Sequence, residues 1–204
     1  MQYRHKKTFS LIEFLFLIVI LGIISTQTTL KTTNSNLQKA ASKVKLYLNY
    51  TRYISHLDNK YSVDDEEWFK KLWTVKFQNC AHDIGGFYFV VYSDKSGGTA
   101  HFKKEECLKD PLTNKYLYSN SDCEASHNES KYILLTKEYG VEKVNISCNS
   151  NNSLGQISFS YNGDIYSNLG DHPSKITQKC YITLFDKDNN SVKITIEPKT
   201  GYIY

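Results

Sequence analysis

The stretch FSLIEFLFLIVILGII, residues 9–24, decides how the rest of the chain is interpreted. It is apolar except at Ser10, Glu13 and one glycine, and a basic leader, residues 1–8, precedes it. As a helix it covers about 24 Å, and an extension to Leu30 approaches the hydrocarbon thickness of a bilayer, about 30 Å. The positive charges of the leader favour the cytoplasmic side, so everything beyond Leu30 is expected across the membrane. The segment therefore predicts a single-pass membrane protein or a cleaved secretory precursor.

The residues after this stretch favour a helix that continues. From Phe9 to Ile84 there is no proline, and Gly22 is the one glycine. An apolar stripe at helical spacing follows, consisting of Leu37, Ala40, Ala41, Val44, Tyr47, Leu48, Thr51 and Ile54. We therefore expect one helix from Phe9 to about Leu57, membrane-spanning in its first half and amphipathic in its second. The alternative is a secretory signal peptide cut near Ser25, which releases a secreted protein such as an enzyme.

Glu13 is the unusual residue of the apolar run. A carboxylate inside a membrane segment costs about 2.5–3.5 kcal/mol on insertion scales, so Glu13 requires a partner. The surrounding stretch KKTFSLIEF, residues 6–14, resembles the prepilin cleavage and methylation motif of type IV pilins and type II secretion pseudopilins. The resemblance implies cleavage between Thr8 and Phe9, N-methylation of Phe9, and pairing of Glu13 with the free amine of a neighbouring subunit. Such a pair neutralises both charges and sets the register between helices.

The resemblance covers about the first quarter of the chain and implies a role, a location and partners for the whole protein. It implies a minor pilin or pseudopilin in a pilus-like fibre, with its head in the periplasm and its helix in the bacterial inner membrane before assembly. The implied partners are other pilins, the prepilin peptidase, the inner-membrane assembly platform and membrane lipid. Thr8 departs from the family's usual glycine, and the proline that kinks many major pilin helices is absent. The second hypothesis is a membrane-anchored periplasmic binding or adhesive domain that never assembles.

The remainder of the chain predicts a β-rich head. Aromatic residues make up 14% of the full chain. In the head, runs of β-branched and aromatic residues alternate with turn sequences such as Asn162-Gly163 and Gly97-Gly98. The predicted strands are 74–78, 87–92, 100–103, 132–136, 144–148, 156–161, 179–185, 191–197 and 202–204. Near the C-terminus, a hairpin sequence at 157–165 precedes two strands, 180–185 and 192–197, and the closing Thr200-Gly201-Tyr202-Ile203. This order is similar to that of the GspH/FimT group of minor pseudopilins.

These elements combine into a predicted α+β fold, a long N-terminal helix packed on an antiparallel β-rich, pilin-like globular head. Its expected parts are a leader at 1–8, a transmembrane half-helix at 9–30, an amphipathic half-helix at 31–60 and the head at 61–204.

The five cysteines all lie in the part predicted to be exported, where an oxidising compartment favours disulfides and leaves one cysteine over. Cys107 and Cys123 bracket a polar loop, residues 105–130, and a bridge between them is expected to hold it. Cys148 with Cys180 is the second expected pair. The alternative is that some of these cysteines are buried free thiols.

The sequence favours neither catalysis nor a cofactor. Six histidines lie scattered without metal-ligand spacing, and no Gly-x-Ser-x-Gly elbow accompanies the serines. Asp186, Asp188 and Asn190 alternate as in a calcium loop, but Ser191 stands where that loop needs glycine, so a hairpin turn is the better interpretation. The net charge of +4, without a basic block beyond the leader, predicts no nucleic-acid partner.

Overall fold

A computed structural model describes residues 10–29, 32–95, 102–149, 153–170 and 174–204, with the backbone alone for 24–29 and 32–35. The helices are α1 (Leu11–Thr29), α2 (Thr32–Leu57) and α3 (Leu135–Tyr139), with single 3-10 turns at Trp68–Lys71, Lys104–Glu106 and Lys131–Ile133. The strands are β1 (Trp73–Asn79), β2 (Phe87–Tyr92), β3 (Lys143–Ile146), β4 (Gln156–Phe159), β5 (Ile165–Tyr166), β6 (Cys180–Phe185) and β7 (Ser191–Ile196). The chain divides into two compact units, residues 1–35 and 36–204.

The predicted fold class, with one long helix from Phe9 to Leu57 on a head, is wrong. The structure has two helices, α1 ending at Thr29 and α2 beginning at Thr32. Between Ile24 and Leu37 the sequence is rich in Thr, Ser and Asn, which are weak helix formers, and Leu30 is the one apolar residue that could extend either helix's stripe. Within the residues described, no helix combines the length and the apolar character that a membrane crossing requires.

The described part of the larger unit contains two antiparallel sheets. The first has the strand order β2-β1-β4-β5, with Val75 opposite Val91 and Thr74 opposite Ser158. The second has the order β3-β6-β7, with Ile182 opposite Ile194. The central strand β6 alternates buried and half-buried residues, the period-two pattern of a sheet with one face on the core.

Helix α2 contributes one face to the same core. The predicted stripe is buried from Leu37 to Thr51, and Val44, Tyr47 and Leu48 are 0% exposed. The Tyr47 ring packs against Phe89 of β2 at 5.8 Å between ring centroids. Apolar residues at helical spacing lie on one side of a helix, so this stripe fixes which face of α2 meets the core.

Three predicted strands differ from what the structure has. Residues 132–136 form part of a 3-10 turn and then α3, whose end Gly140 takes a left-handed conformation (φ 69°) that closes the helix. Residues 202–204 pair with β7 through a single bridge, Ile196 with Ile203. Of 100–103, the last two residues are irregular, and the first two lie outside the described residues, as does the predicted turn at Gly97-Gly98.

Candidate functional site

The exposed apolar surface of α1 is the most distinctive feature of the N-terminal unit. Leu11 is 83% exposed and Ile23 still 55%. The apolar side chains exposed between them are those of Ile12, Phe14, Leu15, Phe16, Leu17, Ile18, Val19, Ile20 and Leu21. A helix that is apolar on all sides normally lies in a protein core or in lipid. We therefore expect this surface to be covered by apolar groups of protein or lipid.

Glu13 is the acidic residue of α1 and lies in its first turn. Its carboxylate accepts a hydrogen bond from the Ser10 backbone N–H, 3.2 Å from N to Oε2. This bond is one half of a capping box, and the sequence Ser-x-x-Glu at residues 10–13 is its signature. The helix dipole also favours a negative charge at this end. The pattern Ser-x-x-Glu at residues 10–13 therefore predicts a capping role for Glu13 from the sequence alone.

The predicted processing residues Thr8 and Phe9 lie outside the described residues. Ser10, directly after Phe9 in the chain, is exposed, and α1 begins with the next residue.

The cysteines form two disulfides, Cys80–Cys123 and Cys148–Cys180. The expected Cys107–Cys123 bridge is not formed, because Cys123 is paired with Cys80, which anchors the polar loop to the residue after β1. Cys148–Cys180 is present and joins the end of β3 to the start of β6. Cys107 is a buried free thiol whose pKa is raised well above its usual range by burial.

The predicted calcium candidates form the turn between β6 and β7. The Oδ1 atom of Asp186 accepts hydrogen bonds of 2.9 Å from the backbone N–H groups of Asp188 and Asn190. Its Oδ2 accepts another of 2.9 Å from the Asn190 side-chain amide. Both carboxylate oxygens thus hold the turn itself. No group of three potential metal-ligating side chains was found anywhere in the described part of the chain.

A buried polar cluster ties the loop 105–130 to α2, and the sequence analysis missed it. Asp110 is 1% exposed, and its Oδ2 accepts a hydrogen bond from the Tyr47 hydroxyl at 3.0 Å and from the Thr113 hydroxyl at 3.0 Å. Its Oδ1 accepts the Leu112 backbone N–H at 2.9 Å. Burial, followed by the charge of Asp110, raises the pKa of Tyr47 above its usual range. Buried polar groups with satisfied hydrogen bonds make a packed position specific, so the cluster fixes the loop against the helix.

A cavity of about 300 Å³ lies beside the Cys80–Cys123 disulfide. Phe87 and Leu134 give it apolar walls, and Asp122 and Lys137 are among its charged lining residues. Its size is at the lower limit of small-molecule sites.

Comparison with known proteins gives no relative for this chain: no family model, no curated protein and no solved structure matches it.

Proposed function

We propose that this chain is a structural subunit, a minor pilin or pseudopilin, of a pilus-like fibre in a type II secretion or type IV pilus machinery. It assembles through α1 and displays the β-rich unit. The observation that carries the proposal is the apolar surface of α1, exposed from Leu11 to Ile23, with a single carboxylate at its N-terminal end. The proposal assigns the chain no catalytic activity.

The apolar surface of α1 has to stay out of water both before and after assembly. Full burial of one large apolar side chain contributes about 1.5–3 kcal/mol relative to water. Eleven of the thirteen residues from Leu11 to Ile23 are large and apolar. Because lipid is as apolar as these side chains, it is packing between neighbouring helices that favours the fibre over the membrane. Before assembly, membrane lipid at the inner membrane covers this surface. In the fibre, the equivalent helices of neighbouring subunits cover it.

Glu13 supplies the register of that assembly. A carboxylate enclosed among apolar helices is unfavourable unless an opposite charge lies next to it. Cleavage after Thr8 creates a new amine at Phe9, and the amine of one subunit pairs with Glu13 of the next. The leader is removed by the prepilin peptidase, and the assembly platform of the inner membrane moves the subunit into the fibre.

The disulfides support an exported location for the β-rich unit. Disulfides persist in oxidising compartments such as the periplasm and are rare in the cytosol. Cys80–Cys123 and Cys148–Cys180 both lie in the unit formed by residues 36–204. A periplasmic location for this unit accounts for its disulfides, and a cytoplasmic location for the leader accounts for the leader's positive charges.

The N-terminal mass of the protein tests the proposal. We expect protein from membranes of its host to begin at a methylated Phe9, and to keep Met1 when the prepilin peptidase is deleted. Thr8→Arg places a large charged side chain before the cut and should leave Met1 in place. Thr26→Arg, the control near the alternative cut site, should leave the Phe9 terminus unchanged.

Two other results would contradict the proposal. A native protein that keeps Met1 indicates the anchored domain that never assembles. A terminus near Thr26 indicates a secreted protein released by signal peptidase.

A further inference from the structure

The outer face of α2 is apolar in its centre and purely basic in its charge. We use this name for Lys39, Ser42, Leu46, Asn49 and Tyr53, which share one side of the helix at a spacing of three or four residues. The half-buried Lys45, three residues after Ser42 and four before Asn49, borders this side and is included in the name. Leu46 is 39% exposed and Tyr53 is 58% exposed, so apolar area faces outward. Residues 36–57 contain four cations, Lys39, Lys43, Lys45 and Arg52, and no Asp or Glu.

The segment that follows α2 has the opposite charge and exposes aromatic rings. Tyr61 packs edge-on against Trp68 at 5.2 Å between ring centroids and against Tyr161 at 6.1 Å. We call these three residues, with Val63, the aromatic patch. Tyr61 is 48%, Val63 81% and Tyr161 40% exposed. Exposed aromatic clusters of this kind are characteristic of the centres of protein interfaces.

Acidic side chains border the aromatic patch. Residues 58–71 hold five acids and three lysines, which leaves a net charge of −2. Asp65 pairs with Lys71 at 2.6 Å, and Glu67 pairs with Lys70. Asp64 and Glu66 are exposed, and among the described residues they form no salt bridge. The patch therefore has an apolar centre and free negative charge at its border.

We propose that a second copy of this chain docks head to tail, with its aromatic patch on the outer face of α2 of the first copy. The proposal rests on the proposed assembly function and adds the contact between the β-rich units. Asp64 and Glu66 of one copy lie against Lys39 and Lys45 of the next, while the aromatic rings cover Leu46 and Tyr53.

Charge decides between this contact and a symmetric one. Two α2 outer faces brought together would oppose cations with cations, which disfavours a two-fold dimer through this helix. Acid against base is favourable, and each copy carries both surfaces. A head-to-tail contact between two different surfaces of identical subunits repeats from copy to copy, and it gives a ring if the rotation closes and an open filament if it does not.

Zero-length carbodiimide cross-linking tests this contact, since it joins a lysine to a carboxylate that lies against it. Full-length protein in detergent micelles is prepared as an equal mixture of ¹⁴N and ¹⁵N chains, so that peptides joined between copies carry both labels. We expect Lys39 or Lys45 linked to Asp64 or Glu66 between copies. The yield should fall several-fold at about 1 M salt, where the Debye length is about 3 Å.

Charge exchange gives the decisive variants. K39E/K45E alone and D64K/E66K alone should each abolish these links, because each leaves two groups of the same kind that the carbodiimide cannot join. Each should also weaken the self-association measured by sedimentation velocity, because it brings like charges together. The four substitutions combined should restore the intermolecular links, now between a carboxylate at residue 39 or 45 and a lysine at residue 64 or 66. K187E, a charge change in the turn between β6 and β7, is the matched control and should have no effect. Retention of both disulfides shows that each variant has folded.

Two outcomes would overturn the contact: single reversals that leave self-association in sedimentation velocity unchanged, or a combined variant that fails to restore the links. Failure of this contact is distinguishable from failure of the proposed function. If the native protein gives no such links while Phe9 processing and incorporation into fibres persist, this contact is wrong and assembly through α1 stands. If the links form but the protein in membranes of its host keeps Met1 in the presence of the prepilin peptidase, the copies associate but the pilin-like role is wrong.

Discussion

The Glu13 carboxylate carries a charge and a hydrogen bond, and two substitutions separate them. Its Oε2 accepts the Ser10 N–H at 3.2 Å, which caps α1 within one chain. Pairing with the amine of another subunit uses the charge instead. Glutamine can accept the same capping bond but carries no charge, since capping boxes use Glu or Gln at this position.

We expect Glu13→Gln and Glu13→Ala to be excluded from fibres to the same extent, because the charge sets the register. In addition, Glu13→Ala should weaken the start of α1 by about 1 kcal/mol, the typical value of a lost cap. The measurement is the ratio of fibre-bound to membrane-bound protein for each variant. Normal incorporation of Glu13→Gln would show that the cap, and not the charge, is the role of this residue.

Two tyrosines with buried hydroxyl groups, Tyr47 and Tyr139, should differ in their response when that group is removed. The Tyr47 hydroxyl donates to Asp110 at 3.0 Å, whereas the Tyr139 hydroxyl is buried with no hydrogen-bond partner in the described structure. Tyr47→Phe should lower the free energy of unfolding by about 2 kcal/mol, the range for bonds to charged groups. Tyr139→Phe should leave it unchanged or raise it by about 1 kcal/mol, because an unsatisfied buried polar atom is removed. Urea unfolding measures both, and a loss of stability in Tyr139→Phe would contradict this assignment.

At the scale of the element, α2 has two faces that make different contributions. Leu48 is 0% exposed in the core, and Leu46 is 39% exposed on the outer face. Leu48→Ala should lower the free energy of unfolding by about 3 kcal/mol, since it removes buried methyl groups and leaves a cavity. Leu46→Ala, on the same helix, should change it by less than about 0.5 kcal/mol. Equal effects in urea unfolding would mean that α2 does not pack as described.

The elements that the sequence predicted well are those with a strong local pattern. The stripe from Leu37 to Thr51 follows the helical period, and the buried face of α2 matches it. β2 occupies the predicted residues 87–92, and β1, β6 and β7 agree within two residues at each end. In each of these the periodicity and the propensity of the residues point to the same structure.

The errors lie where local and long-range effects compete. The continuous helix was inferred from the absence of proline, the presence of one glycine only and the apolar stripe after Leu37, but Thr and Asn residues around Leu30 also weaken a helix. The apolar residues at 132–136 suit a strand as well as a buried helix, and the Gly140 cap selects the helix. The pairing of Cys123 with Cys80 depends on which strand the polar loop reaches, and sequence spacing does not encode that.

In the whole molecule, polar contacts hold the C-terminal half of α2 to distant parts of the chain. The Arg52 Nε donates to the Thr200 carbonyl at 2.8 Å, and the His56 ring nitrogen Nδ1 lies 2.5 Å from the Tyr161 carbonyl oxygen. These contacts join residues more than one hundred positions apart. The larger unit should therefore unfold as one cooperative structure, a property that single-domain proteins of this size usually have.

Alkaline pH should unfold this unit cooperatively, because several of its phenols are buried. Burial raises the pKa of Tyr47, Tyr92 and Tyr139 above the usual range, and that of Tyr88 to about 12. In the unfolded chain these phenols ionise near pH 10. Above that pH the folded state retains protons that the unfolded state releases, so each buried phenol lowers stability by about 1.4 kcal/mol per pH unit as pH rises. Below about pH 10 this stability is fully present.

Tyrosinate absorbance and far-UV circular dichroism, followed together through an alkaline titration, test this expectation. The buried phenols should ionise together with the loss of circular dichroism. Tyr92→Phe should make the decline of stability with pH less steep by about 1.4 kcal/mol per pH unit. Ionisation of all the phenols near pH 10 without unfolding would contradict the burial of Tyr92, whose ring stacks on Phe102 at 4.1 Å between centroids.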